Sequence, residues 1–229
     1  MPSQLPLALR VREGLTLDGF VVGSNGPAVA LLASLAAGEP GQLFLHGEPG
    51  SGRTHLLSAA VVAAEQAGRR ACLLPAAELA PLPPALLEDF DSFDLVAVDD
   101  LQHVAGVRAW EEALFHLYNR LMAAGRVLIC TADRPPTQCG VQLPDLSSRL
   151  AAGPVFALHG LSDDDLAALL QQRAAARGLR LGEGVASFII HRGQRSPAAL
   201  LATLNRLDEH ALARQRRLTI PLVKEALGW

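Results

Sequence analysis

Gln42-Leu43-Phe44-Leu45-His46-Gly47-Glu48-Pro49-Gly50-Ser51-Gly52-Arg53-Thr54-His55-Leu56-Leu57 reads as a short apolar strand, a glycine-rich loop and the start of a helix. Gly47, Gly52 and Thr54 fit the phosphate-loop pattern G-x-x-x-x-G-K-[ST], with Arg53 where lysine is expected. Glycines let backbone N–H groups turn inward around a phosphate chain, and the helix N-terminus adds the positive end of its dipole. The stretch Gly47, Glu48, Pro49, Gly50, Ser51, Gly52, Arg53, Thr54 and His55 is therefore the candidate nucleotide cradle, with Thr54 in reach of a magnesium ion. The competing reading is an ordinary glycine turn. A planar guanidinium is not a conservative replacement for an ammonium, so Arg53 is the departure to explain.

Downstream, Phe93-Asp94-Leu95-Val96-Ala97-Val98-Asp99-Asp100 reads as a buried parallel strand ending in two carboxylates. This resembles a Walker B motif. Asp99 is placed to support magnesium, through water or Thr54, and Asp100 stands where a glutamate usually orients the attacking water. Aspartate is one methylene short for that task, and small misplacements are costly in catalysis. Two strand-ending aspartates at a turn are the alternative. Upstream, Phe20, Val21 and Val22 precede the first helix, which Ser24 or Asn25 caps. They are candidates for an apolar wall against adenine, or plain core.

Further apolar runs at Arg70–Pro75, Arg126–Thr131 and Val155–Leu158 complete five expected strands. Arg108–Ala124 carries an apolar stripe of helical spacing, while prolines 81, 83 and 84 break any helix between 76 and 90. From Ser162 the pattern is wholly helical, opened by a Ser162/Asp165 capping box. The expected fold is α/β: a nucleotide-binding core with a parallel five-stranded sheet over 13–160, then a small all-helical lid over 161–229. Residues 1–12 stand apart. Gln4-Leu5-Pro6-Leu7-Ala8-Leu9 has the alternating leucines an extended peptide offers to a partner's groove, and resembles the short motif that binds the replicative sliding clamp. A tail packed on its own domain is the alternative.

Composition narrows the classes. The 229 residues are 50% hydrophobic with a formal net charge of −3, which argues against a nucleic-acid-binding surface over the whole protein. Cys72, Cys130 and Cys139 form no C-x-x-C pair, so buried free thiols in a reducing compartment are expected. No signal peptide or membrane-spanning stretch is read, so a cytoplasmic location without membrane attachment is expected.

The motifs together resemble the DnaA-like branch of AAA+ ATPases, and within it the Hda group, regulatory inactivators of the replication initiator DnaA. The resemblance rests on Gln4–Leu9, the Arg53 loop, Phe115-His116-Leu117-Tyr118-Asn119-Arg120, Thr131-Ala132-Asp133-Arg134-Pro135-Pro136, Leu143-Pro144-Asp145-Leu146-Ser147-Ser148-Arg149-Leu150 and Leu218-Thr219-Ile220-Pro221-Leu222-Val223-Lys224-Glu225. It implies an AAA+ core and lid, with an adenine nucleotide, ADP or ATP, and Mg2+ in the loop. It implies Asp133 at the sensor 1 position, between the two acids and the terminal phosphate. It also implies attachment through Gln4–Leu9 to the sliding clamp (the beta subunit of DNA polymerase III), with DNA contact mainly indirect. The implied activity is regulation of initiation: Arg149 acts as an arginine finger on ATP held by DnaA, stimulates its hydrolysis and inactivates the initiator.

Two positions depart from the group. Ala198 stands where a sensor 2 arginine is expected, with Arg195 close by, and Asp100 replaces glutamate. Together with Arg53, Asp100 predicts weak hydrolysis of the protein's own nucleotide. An autonomous AAA+ ATPase, such as a helicase loader or a truncated initiator, is the runner-up, although no helix-turn-helix is read after the lid. A clamp-tethered scaffold that stimulates nothing is a third reading. Self-association and any direct DNA contact by Arg214, Arg216 and Arg217 stay open.

Overall fold

The computed structural model describes residues 15–182, 184–194, 196–212 and 218–229. The tail Gln4–Leu9, Arg195, the side chain of Ala198 and the Arg214/Arg216/Arg217 cluster lie outside that description. The chain divides into two compact units after Gly160.

The first unit begins with helix α1 (Gly26–Ala37) and strand β1 (Gly41–His46), followed by α2 (Arg53–Gln66), β2 (Ala71–Pro75) and the single turn α3 (Ala76–Leu79). A 3-10 helix, Pro84–Ser92, leads to β3 (Leu95–Asp99) and a short 3-10 turn, Leu101–His103. Helix α4 (Arg108–Ala123), β4 (Val127–Ala132), α5 (Pro144–Ala152) and β5 (Val155–Ala157) complete the unit. The five strands pair in parallel in the order β2-β3-β4-β1-β5.

Both faces of this sheet are covered, and alternation along the strands decides which residue serves which face. On β4, Leu128, Cys130 and Ala132 face the layer built by α3, α4, α5 and the 3-10 segment. Val127 and Ile129 face the layer of α1 and α2. Phe44 on β1 joins the first core, and Leu43 and Leu45 join the second. Strand order then positions the chemistry. In open parallel sheets the binding crevice lies beyond the carboxyl ends of the strands, where strand order changes direction. Here β4 separates β1 from β3, so the end of β4 stands between the loop after β1 and the acids after β3.

Observed boundaries differ from the expected ones by one or two residues, as helix and strand ends commonly do. Three local features have physical causes, of which the first is the expected break at the prolines and the second departs from expectation. Helix α3 stops at Leu79 and the proline-rich stretch winds into a 3-10 helix opened by Pro84. Asn25 sits at the N-cap of α1 without a capping bond. Its amide instead donates to the carbonyl of His159 (3.0 Å) and accepts from the N–H of His159 (2.9 Å), tying the entry of α1 to the segment after β5. The Tyr118-Asn119-Arg120 stretch is structural: Tyr118 is buried, while Arg120 donates to the carbonyl of Leu87 and pairs with Asp91 at 3.3 Å.

The second unit holds α6 (Asp163–Ala175), α7 (Val185–Arg192), α8 (Pro197–Leu212) and α9 (Ile220–Leu227). The Ser162 hydroxyl accepts from the N–H of Asp165 and the Asp165 carboxylate accepts from the N–H of Ser162, both at 3.1 Å: the expected capping box. Leu166, Leu170, Ile189, Ile190, Leu200, Leu204, Leu207 and Val223 give the unit its own core.

Candidate functional site

The loop after β1 is built by glycines that nothing larger replaces. A Cβ on Gly47 would lie 2.6 Å from the carbonyl oxygen of Leu158, and one on Gly52 would lie 2.6 Å from the Phe20 ring. Gly50 and Gly52 have φ of 87° and 98°, in the left-handed region. Gly52 is the N-cap of α2, and no side chain caps that helix. Ser51 is buried, and its Oγ lacks a hydrogen-bond partner among the described residues. Glu48, Pro49 and Gly50 are exposed. Uncapped N–H groups at the start of a 14-residue helix, with an orphaned hydroxyl beside them, are the donors an anion would satisfy.

Beyond the loop, the ends of β3 and β4 form one hydrogen-bonded network. The Thr54 hydroxyl donates to Asp99 at 2.7 Å. The Thr131 hydroxyl donates to the other Asp99 oxygen at 2.6 Å and accepts from the N–H of Asp100 at 2.9 Å. Asp99 is buried, and burial foremost pushes its carboxyl above the usual carboxylate range; Asp100 adds to this, while Thr131, Thr54 and Arg53 oppose it. Asp100 is the one non-glycine residue with positive φ (56°) among the described residues. Aspartate tolerates this region better than branched or bulky residues do. The turn points its carboxylate back toward the loop.

Arg53 lies where that carboxylate points. Its guanidinium is 8% exposed and stands 2.8 Å from Asp100, a charge pair rather than an aligned hydrogen bond. It also donates to the backbone carbonyls of Gly47 and Ala132, the latter at 2.8 Å. The two departures from the ATPase pattern, Arg53 and Asp100, are thus partners. The basic side chain of the loop is committed to three internal acceptors. Burial first, then the Arg53 charge and His159, keep His46, at the end of β1, below the usual histidine range.

The remaining candidates are distributed around this network. His55 turns to the carbonyl of Thr16 at 3.1 Å and packs edge-on against Phe20, with centroids 5.3 Å apart. Phe20 and Val21 are half-buried and Val22 is exposed. The side chain of Asp133 does not join the Asp99–Thr131–Asp100 network. Its carboxylate is 4.0 Å from the neighbouring Arg134, and its N–H donates to Gln102. Arg149 lies on the exposed face of α5, and its guanidinium has no ion pair among the described residues. Thr131 was not expected as a site residue: it reads as one more strand residue, and only the register of β4 against β1 and β3 brings it between the loop and the acids. No group of three or more metal-ligating side chains occurs among the described residues. The three cysteines are buried, and burial pushes the Cys72 and Cys130 thiols up to about 12.

Two segments of the chain match known protein families. Residues 163–227 match the lid domain of Hda, and residues 84–157 match the bacterial DnaA ATPase domain. The chain is an Hda/DnaA-like AAA+ protein. Its fold is similar to domain III of the replication initiation protein DnaA from Thermotoga maritima, with a TM-score of 0.78, 22% identity, and coverage of 93% of this chain and 95% of that one. It is also similar to a replication initiator DnaA bound to AMPPCP and single-stranded DNA, with a TM-score of 0.77, 22% identity, and coverage of 90% and 70%. The Thermotoga maritima RuvB Holliday junction branch migration motor aligns with a TM-score of 0.71 and 16% identity over 93% and 71% of the two chains. The five-stranded core and helical lid are the AAA+ architecture expected from the sequence. The loop, Thr54 and Asp99 gather at the carboxyl edge of the sheet, while α5 carries Arg149 on its exposed face.

Proposed function

We propose that this DnaA-related replication protein is a regulator that acts on DnaA, supplying Arg149 in trans to ATP held by the initiator. The observation that carries this reading is the contrast at the two basic positions. The loop arginine is consumed by Asp100 and two carbonyls, whereas Arg149 is exposed and without an ion pair among the described residues. A guanidinium inserted from a neighbour neutralises charge developing on a transferring phosphoryl group. In other NTPases that is worth roughly a thousandfold or more in rate.

The loop residues fit an adenine nucleotide as a bound group. Gly47 to Thr54 would hold phosphates on backbone N–H groups and the orphaned Ser51 hydroxyl, and Thr54 with Asp99 would hold Mg2+. In this role the nucleotide supplies negative charge and an adenine face for folding and binding, and no reacting bond. Arg53 neutralises Asp100, so neither residue is free for water orientation or for charge stabilisation at a third phosphate. This favours ADP as resident and weak hydrolysis in cis. The Thr54–Asp99 bond is the feature that favours the alternative, an autonomous ATPase.

Residues Gln4–Leu9 would tether the protein to the sliding clamp, bringing Arg149 to initiators near replicating DNA. The deciding experiment is hydrolysis of DnaA-bound ATP with and without DNA-loaded clamp. Stimulation that needs both clamp and this chain is expected. The double variant Gln4→Ala/Leu7→Ala should lose clamp binding in a pull-down; retained binding would put the contact elsewhere. Turnover of ATP by the isolated protein at the rate of working AAA+ motors would favour the autonomous reading.

A further inference from the structure

Helix α5 is nine residues long, too short to be stable by itself, and its two ends are held by side chains from distant parts of the core. At its start, Pro144 has no N–H and Leu143 at the N-cap offers no side-chain cap. The carboxylate of Glu111, from the first turn of α4, instead holds the backbone that leads into the helix. It is 1% exposed and has no salt-bridge partner among the described residues. One oxygen accepts from the N–H groups of Gly106 (2.7 Å) and Gln142 (2.9 Å), and the other from the N–H of Leu143 (2.7 Å). At the far end, Arg149 contributes one of the helix's last four carbonyls, which have no partner within the helix. The Gln42 amide, from β1, donates to it at 2.9 Å. Gly153, which follows the helix, leaves room for that amide: a Cβ there would lie 2.2 Å from the Gln42 nitrogen. Leu146 and Leu150 are buried between these two anchors.

A buried carboxylate with three backbone donors and no cation is costly unless its geometry is complete. Every one of these bonds goes to the two loops that set where α4 and α5 begin. We propose that Glu111 and Gln42 are positioning residues for Arg149: together they fix the axial position and rotation of α5, and so the reach of its exposed guanidinium. This inference rests on the trans-acting reading of Arg149. Displacements on the order of an ångström cost up to about a hundredfold in catalysis, so loosening either anchor lowers the rate of the stimulated step without removing the group that performs it.

Glu111→Gln keeps the shape but leaves one acceptor oxygen for three N–H groups and turns an NH2 toward one of them. Gln42→Leu removes the donor to the Arg149 carbonyl. The full-length variants are titrated against DnaA loaded with ATP in the presence of DNA-loaded clamp, recording the maximal rate and the half-saturating concentration separately. A fraction of unfolded protein raises the apparent half-saturating concentration and leaves the maximum intact. A misplaced guanidinium lowers the maximum. The expected result is a maximal rate down about tenfold for Glu111→Gln and several-fold for Gln42→Leu, with half-saturation and the protein's own ADP affinity unchanged. A wild-type maximal rate in Gln42→Leu overturns the proposal, whether or not Glu111→Gln folds. Arg149→Ala, assayed in parallel, separates the failures: if it keeps the wild-type rate, the trans-acting reading falls. If it alone loses the rate, only the positioning role falls.

Discussion

Two arginines, Arg53 and Arg149, sit on the same small domain and meet opposite environments. Arg53, at the start of α2, is buried, ion-paired and bonded to two carbonyls; Arg149, on α5, is exposed and has no ion pair among the described residues. The difference begins with backbone placement. The first residue of α2 points into the sheet's carboxyl edge, where the Asp100 turn and the ends of β1 and β4 supply acceptors. Position 149 falls on the outer face of α5, because Leu146 and Leu150 take the inner one. The same side chain is therefore a structural brace in one place and an available cation in the other.

The comparison breaks most sharply at Arg149. Arg149→Ala should lower stimulated hydrolysis of DnaA-bound ATP roughly a thousandfold, with ADP binding intact. Lysine at 149 should recover only part of the rate, since a point charge lacks the planar fork. The next effect tests the buried side. If Arg53 and Asp100 silence each other, Arg53→Lys/Asp100→Glu should raise the protein's own ATP turnover by about tenfold or more, and neither single change should do so. Turnover that stays flat in the double variant would mean that the pair is not what limits hydrolysis.

Stability gives a smaller contrast. Arg53→Met leaves Asp100 and two carbonyls without their cation and should cost about 1–3 kcal/mol by denaturant unfolding. Asp100→Asn should cost less, because Asp100 is 31% exposed and water can replace what the asparagine loses. Arg149→Ala, on the open face, should lie within about 0.5 kcal/mol of wild type. The smallest effect concerns Asp99, whose carboxyl is held above its usual range chiefly by burial. The native state then binds its proton more readily than the unfolded state does. Stability falls as pH rises from the ordinary carboxylate range through the raised native value, and the whole penalty is present above it. Asp99→Asn should therefore be more stable than wild type near neutral pH, and the difference should vanish in acid. The same variant should lose the Mg2+-dependent part of nucleotide stabilisation in thermal melts.

Much of this molecule was legible before its structure. The strand–loop–helix at Gln42–Leu57 and the run ending at Asp99 are read directly, because buried parallel strands are continuous apolar runs and glycine loops are rare between them. The lid's opening was readable at Ser162 and Asp165 because a capping box is a local pattern. What stayed hidden depends on long-range register or on direction. Thr131 gains its role only because β4 lies between β1 and β3. Glu111 sits beside Trp110 in an amphipathic helix and reads as solvated, yet it is buried under backbone donors 31 and 32 residues away. Asn25 has the residue type of a cap and spends its amide on His159. Arg53 is the sharpest case: its identity marked a departure, but the destination of a long side chain is set by acceptors that only the folded sheet assembles.

In the proposed function this chain holds nucleotide without consuming it and acts on nucleotide held elsewhere. The most direct measurement loads differently labelled ATP on DnaA and on this protein, mixes them with DNA-loaded clamp, and follows both labels in single-turnover mode. Rapid loss of the label bound to DnaA, abolished by Arg149→Ala, is expected, while the label on this chain persists. Loss of the label on this chain at a comparable rate, with the DnaA-bound label indifferent to Arg149, would contradict it.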